Sequence, residues 1–323
     1  MITLLVLLAV ACCCLLFSLL QGSVPVSLSS LWNSDAVLQH QIIRELRFPR
    51  AASAFIVGGS LAVSGALMQV LLRNPLADPY ILGVSGGAAF GALSALSLGL
   101  AGIWLHSLAF GGALFSTLIV FVLAHGKGSW NSTRLLLTGV VLAAGWGALI
   151  SLLLSLSPNT HLRGMLFWLM GDFSGAQLPA WSAIALLIGL VISLSMSRGL
   201  NLMISGDAQA AALGVNVAGI RRWVYLTASL LTASAVTLAG TIGFVGLIVP
   251  HWLRLLGIRD HRLLLPASLL LGGSVLMLAD TLARSILAPT QLPVGVLTAL
   301  IGVPVFLFLL YRNRSLHSSF NND

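Results

Sequence analysis

Long apolar stretches recur along the whole chain, and each is interrupted by charged residues, a Pro/Gly cluster or a short polar loop. A helix needs about 20 apolar residues to cross the hydrocarbon core of a membrane. By this measure the pattern predicts an all-α membrane protein with about ten transmembrane helices. The predicted helices cover residues 2–20, 51–72, 81–101, 107–125, 135–156, 180–197, 223–241, 243–257, 266–284 and 295–311.

The composition is that of a membrane protein without a separate soluble domain. Of the 323 residues, 58% are hydrophobic and only 7% are charged, whereas a soluble domain has about 25% charged residues. We therefore expect a single transmembrane domain over residues 1–323. The protein is expected to be a multi-pass protein of the bacterial inner membrane, in contact with membrane lipid.

The positive charges are distributed as in a membrane protein rather than as in a nucleic-acid-binding one. The net charge is +8, but the basic residues are scattered between apolar runs, so no nucleic-acid partner is expected. Ten spans place both termini on one side. With the N-terminus inside, eleven basic residues fall in cytoplasmic loops and five in outer loops, which agrees with the positive-inside rule.

The outer arginines run against that rule. Arg44, Arg47 and Arg50 crowd the start of the second predicted helix, and Arg284 closes the ninth. One interpretation is anchoring in lipid headgroups with i,i+4 pairing, for instance between Asp280 and Arg284. The other is a basic docking patch for an acidic partner outside the membrane. Topology alone leaves both open.

The sequence offers little of what a catalytic, metal or nucleotide site requires. Cys12, Cys13 and Cys14 are consecutive in the first apolar segment and lack the spacing of metal ligands, so they are interpreted as inert thiols. The seven histidines show no paired spacing. Lys127, the only lysine, is not part of a phosphate-binding G-x-x-x-x-G-K-[ST] motif. We expect no cofactor and no enzyme activity in this chain.

The most informative run is Gly243–His251, which reads GFVGLIVPH. Glycine allows close backbone approach, and proline frees a carbonyl group that a neighbour must satisfy. The run therefore predicts a packed, irregular part of a multi-helix transporter. It also resembles the signature of the FecCD/BtuC family of bacterial ABC importer permeases. Four regions, matching in order and spacing, extend this resemblance over nearly the whole chain: Arg47–Arg50, Gly65–Gly87, Gly206–Val215 and Gly243–Val296.

The resemblance implies a permease that dimerises around a central translocation path, with a second copy of itself or with a related permease. In the family, each permease docks one ATP-binding subunit on the cytoplasmic side, two per complex, so ATP is used by the partner. A periplasmic substrate-binding protein delivers the ligand. Family members carry iron(III) chelates, such as siderophores and haem, or cobalamin (vitamin B12). We place an iron(III) chelate first and cobalamin second.

The loop between the sixth and seventh predicted helices resembles the family's coupling helix, which contacts the ATPase. A short helix is predicted near residues 205–216, with Asp207 suited to N-capping it and Gly214 to ending it in the left-handed conformation. A charge at Ala210 or Leu213 is expected to uncouple transport without preventing membrane insertion. The alternative is an ordinary helix on the membrane surface. The resemblance assigns ATPase coupling to Asp207, Ala208, Ala210, Ala211, Leu213 and Gly214.

The segment Asn74–Leu76 is predicted to end the second helix, because Pro75 disfavours a helical residue before it. The resemblance makes Asn74 and Leu76 part of a cytoplasmic gate, with Ser132 and Thr133 as its second element. Simple capping of loops by these polar side chains is the alternative. The resemblance also assigns docking of the binding protein's carboxylates to Arg47, Arg50 and Arg284.

A secondary transporter is the competing functional class. Proton-coupled carriers place ionisable groups near the membrane midplane, whereas Asp280 is the main charged candidate within the predicted helices. A path lined by small and apolar side chains suits a bulky chelate instead. A secondary transporter would act alone, so a requirement for ATP and for two companion proteins separates the two classes.

Overall fold

The computed structural model describes residues 2–22, 24, 37–124, 132–175 and 179–318, with the backbone only at residues 82, 132, 309, 310 and 312–318. Within these residues the regular structure is helical and includes no strand. A π-helical turn, Ile42–Arg47, leads into α3, and a 3₁₀ turn, Pro79–Leu82, precedes α4. The α-helices are α1 (Ile2–Leu20), α2 (Val37–Gln41), α3 (Phe48–Leu71), α4 (Val84–Ser97), α5 (Ile103–Ala124), α6 (Ser132–Leu156), α7 (Asn159–Met170), α8 (Ala180–Ser195), α9 (Ser197–Ile204), α10 (Asp207–Ala212), α11 (Val217–Ala239), α12 (Val245–Leu255), α13 (His261–Ser285) and α14 (Val294–Ser318).

Helices occupy all ten predicted segments, but not all of them have the length and hydropathy of a full membrane span. Within the described residues, five helices are long and apolar enough to cross a membrane: α1, α3 with its leading turns, α5, α6 and α13. The pair α8 and α9, bent by 61°, forms a sixth candidate span. Shorter apolar helices are α4, α12 and the first part of α14, and α11 is 23 residues long. The predicted all-α membrane fold is confirmed.

The short helix α10 lies in the loop predicted to hold the coupling helix, but it begins differently from the prediction. Gly206 is the N-cap residue and Asp207 is the first helical residue, without a side-chain cap. The prediction that Asp207 caps the helix is therefore wrong, because its carboxylate pairs with arginines instead. Gly214 has a φ of 80°, so the predicted left-handed glycine after the helix is confirmed.

Helix α3 is the buried centre of the bundle. Of the apolar window that contains it, 89% is buried, compared with 17% for α6. Small residues on α3 allow neighbouring backbones to come close. A methyl group built on Gly65 would overlap the carbonyl group of Gly246 in α12, and one built on Gly58 would overlap that of Gly272 in α13. The run GFVGLIVPH therefore packs directly against the central helix.

The same run begins at a break between α11 and α12. Phe244 has a left-handed φ of 71°, and α12 contains Pro250. The Tyr80 hydroxyl donates to the Ile242 carbonyl oxygen (3.1 Å) and accepts from the Ile242 N–H (3.0 Å). Irregular backbone within a membrane requires such partners. The structure thus contains the packed, irregular element that the sequence predicts, and Tyr80 supplies the polar contacts that stabilise it.

Candidate functional site

Charged side chains gather at both ends of α3. Near its first residues lies a group that we call the outer cluster, on the side predicted to face outward. Beyond its last residue lies a group that we call the coupling cluster, beside α10. The outer cluster consists of Arg47, Arg50, Asp172, Asp280 and Arg284. The coupling cluster consists of Arg73, Asp207 and Arg221.

Asp280 is the buried centre of the outer cluster. Its carboxylate is 1% exposed and accepts a bidentate contact from Arg50, with Nε 2.9 Å from Oδ2 and Nη2 2.8 Å from Oδ1. The Nε of Arg284 lies 3.9 Å from Oδ2. Arg50 also donates through Nη1 to the side chain of Gln291 at 2.9 Å. The pair joins the start of α3 to the end of α13.

The other two arginines of the outer cluster bind the C-terminal end of α1. Arg47 donates through Nη1 to the carbonyl oxygens of Leu19 and Leu20, each at 2.7 Å, and Arg284 donates to the carbonyl oxygen of Ser18. The last carbonyl groups of a helix have no partner within it, so these arginines satisfy them. Arg47 is 4% exposed and Arg284 is 7% exposed.

The three predicted docking arginines therefore lie together at one end, with most of their donors bound within the chain. The Asp280–Arg284 pairing expected under the anchoring interpretation is present. The stronger Arg50–Asp280 contact escaped sequence reasoning, because 230 residues separate the partners. A role in docking stays a prediction.

We expect Asp280→Ala to destabilise the protein strongly. The change leaves the mostly buried guanidinium group of Arg50 with only the more distant carboxylate of Asp172, at 4.0 Å, as a counter-charge. Breaking one partner of a buried pair costs about 3–5 kcal/mol, and Asp172 should keep the loss toward the lower end of that range. The midpoint of thermal unfolding of the purified protein in detergent measures this loss.

The matched control is Glu45→Ala, which removes an exposed carboxylate from the same end of the bundle. It should leave the midpoint nearly unchanged. Adding Arg50→Met to Asp280→Ala should recover part of the loss, because the buried charge is then removed as well. Equal midpoints for Asp280→Ala and the control would contradict the assigned role of Asp280.

The predicted coupling residues differ in what they can contact. Ala210 is fully buried against its own chain, whereas Leu213 is 67% exposed. Ala208, Ala211 and Gly214 are exposed as well. A charge at Ala210 and a charge at Leu213 are therefore not equivalent, contrary to the expectation from sequence. A charge at Ala210 would disturb the chain's own packing, whereas Leu213 and the other exposed residues offer a surface to a partner.

Two of the predicted gate residues, Asn74 and Leu76, lie in a closed turn after α3. The Asn74 side chain accepts a hydrogen bond from the Leu76 N–H (2.9 Å), and its carbonyl oxygen accepts one from the Ala77 N–H (3.0 Å). Thr133 is exposed in the first turn of α6, and the side chain of Ser132 lies outside the described residues. The loop capping by Asn74 that the alternative interpretation expects is thus present. A role of this turn in a gate stays a prediction.

Two aspartates cap the starts of helical elements, Asp78 before the 3₁₀ turn and Asp260 before α13. Burial raises the pKa of Asp78 to about 6, although the hydrogen bond from the Tyr80 N–H opposes this shift. Asp260 caps α13, and hydrogen bonds from the Arg262 N–H (2.9 Å) and from the Asn201 amide (2.7 Å) lower its pKa. Asn201 thereby ties α9 to the start of α13.

Several of these residues were missed because their partners are distant in sequence. Arg254 donates to the Gln69 side chain, and Gln69 donates in turn to the Leu247 carbonyl oxygen at 3.1 Å. A buried glutamine in the apolar helix α3 was the available signal. Among the described residues, no group of three or more His, Cys, Asp or Glu side chains could hold a metal ion.

Comparisons with known proteins agree with this architecture. The sequence model of the FecCD transport family matches residues 7–312. The chain is 42% identical to the cobalamin import system permease protein BtuC of Halobacterium salinarum, over 86% of this chain and 75% of the relative. It is 40% identical to the hemin transport system permease protein HmuU of Yersinia pestis, over 92% and 91% of the two chains.

A solved structure described as an inward-facing conformation of a metal-chelate type ABC transporter has a TM-score of 0.87 and 34% identity. The match covers 96% of this chain and 98% of that one. The family match and these similarities together span almost every helix described above. The chain therefore belongs to the FecCD transport family and is a membrane-embedded transport permease subunit.

Proposed function

We propose that this permease is the transmembrane subunit of a binding-protein-dependent ABC importer that brings a metal chelate into the cytoplasm. The observation that carries the proposal is the exposed face of α10, which is bound through Asp207 to the end of the central helix. A partner that binds this face of α10 can displace the end of α3 through the Asp207–Arg73 pair without entering the membrane. Family membership supports the same assignment.

The proposed partners follow from this architecture. Two ATP-binding subunits dock on α10 of two permease copies, and ATP is hydrolysed on those subunits. The second copy is identical or a related permease. A periplasmic substrate-binding protein delivers the ligand to the outer face.

The proposed cargo is an iron(III) chelate such as a siderophore complex or haem, with cobalamin as the second candidate. The similarity to a hemin permease supports the first, and the similarity to a cobalamin permease favours the second. Both cargoes are bulky metal chelates. The preference for iron(III) chelates stays a prediction that only a transport measurement can decide.

The test is reconstitution of the permease into vesicles with the ATP-binding subunit and the binding protein encoded nearest to its gene. We expect uptake of radiolabelled chelate only when ATP and both companion proteins are present. Ferric siderophore, haem and cobalamin are supplied in separate arms at equal concentration, so that the arm with binding-protein-dependent uptake identifies the cargo. Uptake driven by an ion gradient without companions would instead identify a secondary transporter.

The outer cluster is proposed to attract carboxylates of the binding protein. Its three arginines outnumber its two carboxylates, Asp280 and Asp172, by one charge, which leaves a small positive excess within the cluster. Reversing all three arginines would break the contacts with α1 and α13, so it cannot test docking alone. The salt dependence of the affinity between the unmodified permease and the binding protein is the better measure, because charge-driven docking weakens as ionic strength rises.

A further inference from the structure

We infer that Arg73 links the coupling helix to the gate, as a positioning residue through which a displacement of α10 moves the turn after α3. The inference rests on the proposed function, since it concerns how movement passes from an ATP-driven partner to the translocation path. It adds Arg73 and Arg221 to the residues that the sequence analysis assigned to coupling.

Asp207 connects α10 to two other parts of the chain. Its Oδ1 pairs with Nη2 of Arg73, in the turn after α3, and its Oδ2 pairs with Nη2 of Arg221, in α11. Each carboxylate oxygen therefore takes a different arginine. The side chain of Arg221 is mostly buried, whereas that of Arg73 is 43% exposed. The start of α10 is thus held to the body of the protein on one side and to the predicted gate turn on the other.

Arg73 follows the end of α3 in a backbone conformation at which glycine would be expected. Its φ is 48°, in the left-handed region that residues other than glycine rarely adopt. Glycine is the usual residue where a helix ends in this conformation. Here the backbone N–H of Arg73 donates to the Val70 carbonyl oxygen at 3.2 Å, so the turn is closed as at a helix end. The ion pair with Asp207 is what an arginine adds at this position.

Hydrogen bonds within the turn hold Arg73 and the predicted gate residues Asn74 and Leu76 together. The Asn74 N–H bonds to the Gln69 carbonyl oxygen at 3.1 Å, and Asn74 in turn holds the Leu76 N–H. The next residue, Ala77, is fully buried. Residues 73–77 therefore form one hydrogen-bonded turn, and a pull on the Arg73 side chain is applied to the whole of it.

The energies involved fit a linking role better than a stabilising one. A partly exposed ion pair contributes little to stability. The six-residue helix α10 is too short to be stable by itself, so its position depends on these pairs and on the burial of Ala210. A displacement of α10 that keeps the pair therefore carries the Arg73 turn with it.

The first test is Arg73→Gln in the reconstituted complex. We expect chelate uptake per ATP hydrolysed to fall at least fivefold while ATP hydrolysis itself continues. Arg73→Lys, which keeps the charge, should retain more than half of the wild-type ratio. Arg222→Gln is the matched control, because it removes an exposed arginine next to Arg221, near the start of α11. It should leave the ratio of uptake to hydrolysis unchanged.

The second test follows the gate directly. Leu76→Cys is introduced into a background in which Cys12, Cys13 and Cys14 are serine, and labelling by a maleimide is measured with and without ATP and vanadate. Arg73→Gln should abolish the nucleotide-dependent change in labelling rate, at unchanged thermal unfolding midpoint. Wild-type uptake and a wild-type labelling response in Arg73→Gln would overturn the link, as would equal losses in Arg222→Gln. ATP-independent uptake by the wild type would instead overturn the proposed function, and with it this inference.

Discussion

Replacing Leu213 with glutamate is expected to abolish ATP-driven uptake while the permease remains folded. Leu213 is largely exposed after α10, so the change disturbs no packing within the chain. It does place a carboxylate in the contact proposed for the ATP-binding subunit. Removing a charge from water without a partner costs at least about 2 kcal/mol. Since about 1.4 kcal/mol corresponds to a tenfold change, the affinity for that subunit should fall at least about thirtyfold in a binding titration.

The control for this prediction is Leu98→Glu, which adds the same charge at an exposed leucine after α4, at the opposite end of the bundle. It should bind the ATP-binding subunit normally. Ala210 is unsuitable for the same purpose, because a charged side chain there would disrupt the chain's own core. Wild-type affinity and uptake in Leu213→Glu would show that α10 is not the coupling element.

Gly65→Leu is expected to prevent recovery of folded protein. Even a methyl group on Gly65 would overlap the carbonyl group of Gly246, and a backbone atom cannot move aside as a flexible side chain can. Overpacking of a well-packed core costs about 1–3 kcal/mol, and more where relief is blocked. Because α3 and α12 meet here, the crossing itself must separate. Size-exclusion chromatography of the detergent-solubilised protein should show aggregate in place of a single symmetric peak.

Gly111→Leu serves as the matched control, because Gly111 lies exposed on α5 with open space around it. That variant should elute as the wild type does. Gly65→Ala should be intermediate, with a lowered thermal unfolding midpoint. A monodisperse Gly65→Leu protein of wild-type stability would mean that α3 and α12 do not cross at these two glycines.

The helical segments could be predicted because a membrane restricts the choices of the chain. Backbone groups in hydrocarbon must be satisfied internally, so each apolar stretch of sufficient length becomes a helix. The amphipathic α7 and the six-residue α10 lack a continuous apolar run of that length. The pattern accordingly gave no signal for α7, and the small residues around Gly206 and Gly214 gave only an approximate position for α10.

The polar contacts could not be predicted in the same way. The local sequence does not show which arginine pairs with Asp280. Arg284 is one helical turn away, yet Asp280 binds Arg50 more closely. Asp207 has the sequence position of a capping residue and instead bridges two arginines, because the fold brings the ends of α3 and α11 to it. Local rules describe what a side chain can do with its neighbours in sequence, and these partners are not neighbours in sequence.

The sequence by itself determined the membrane location, the helical class, the ten apolar segments and, through the order of its motifs, the family. These properties depend on hydropathy and on residue order, which are local. The tertiary structure decided which arginines are buried, which residues of α10 are exposed and which arginines pair with Asp207. Those outcomes depend on which helices meet, and the meeting points are set by glycine contacts and buried ion pairs between residues far apart in the chain.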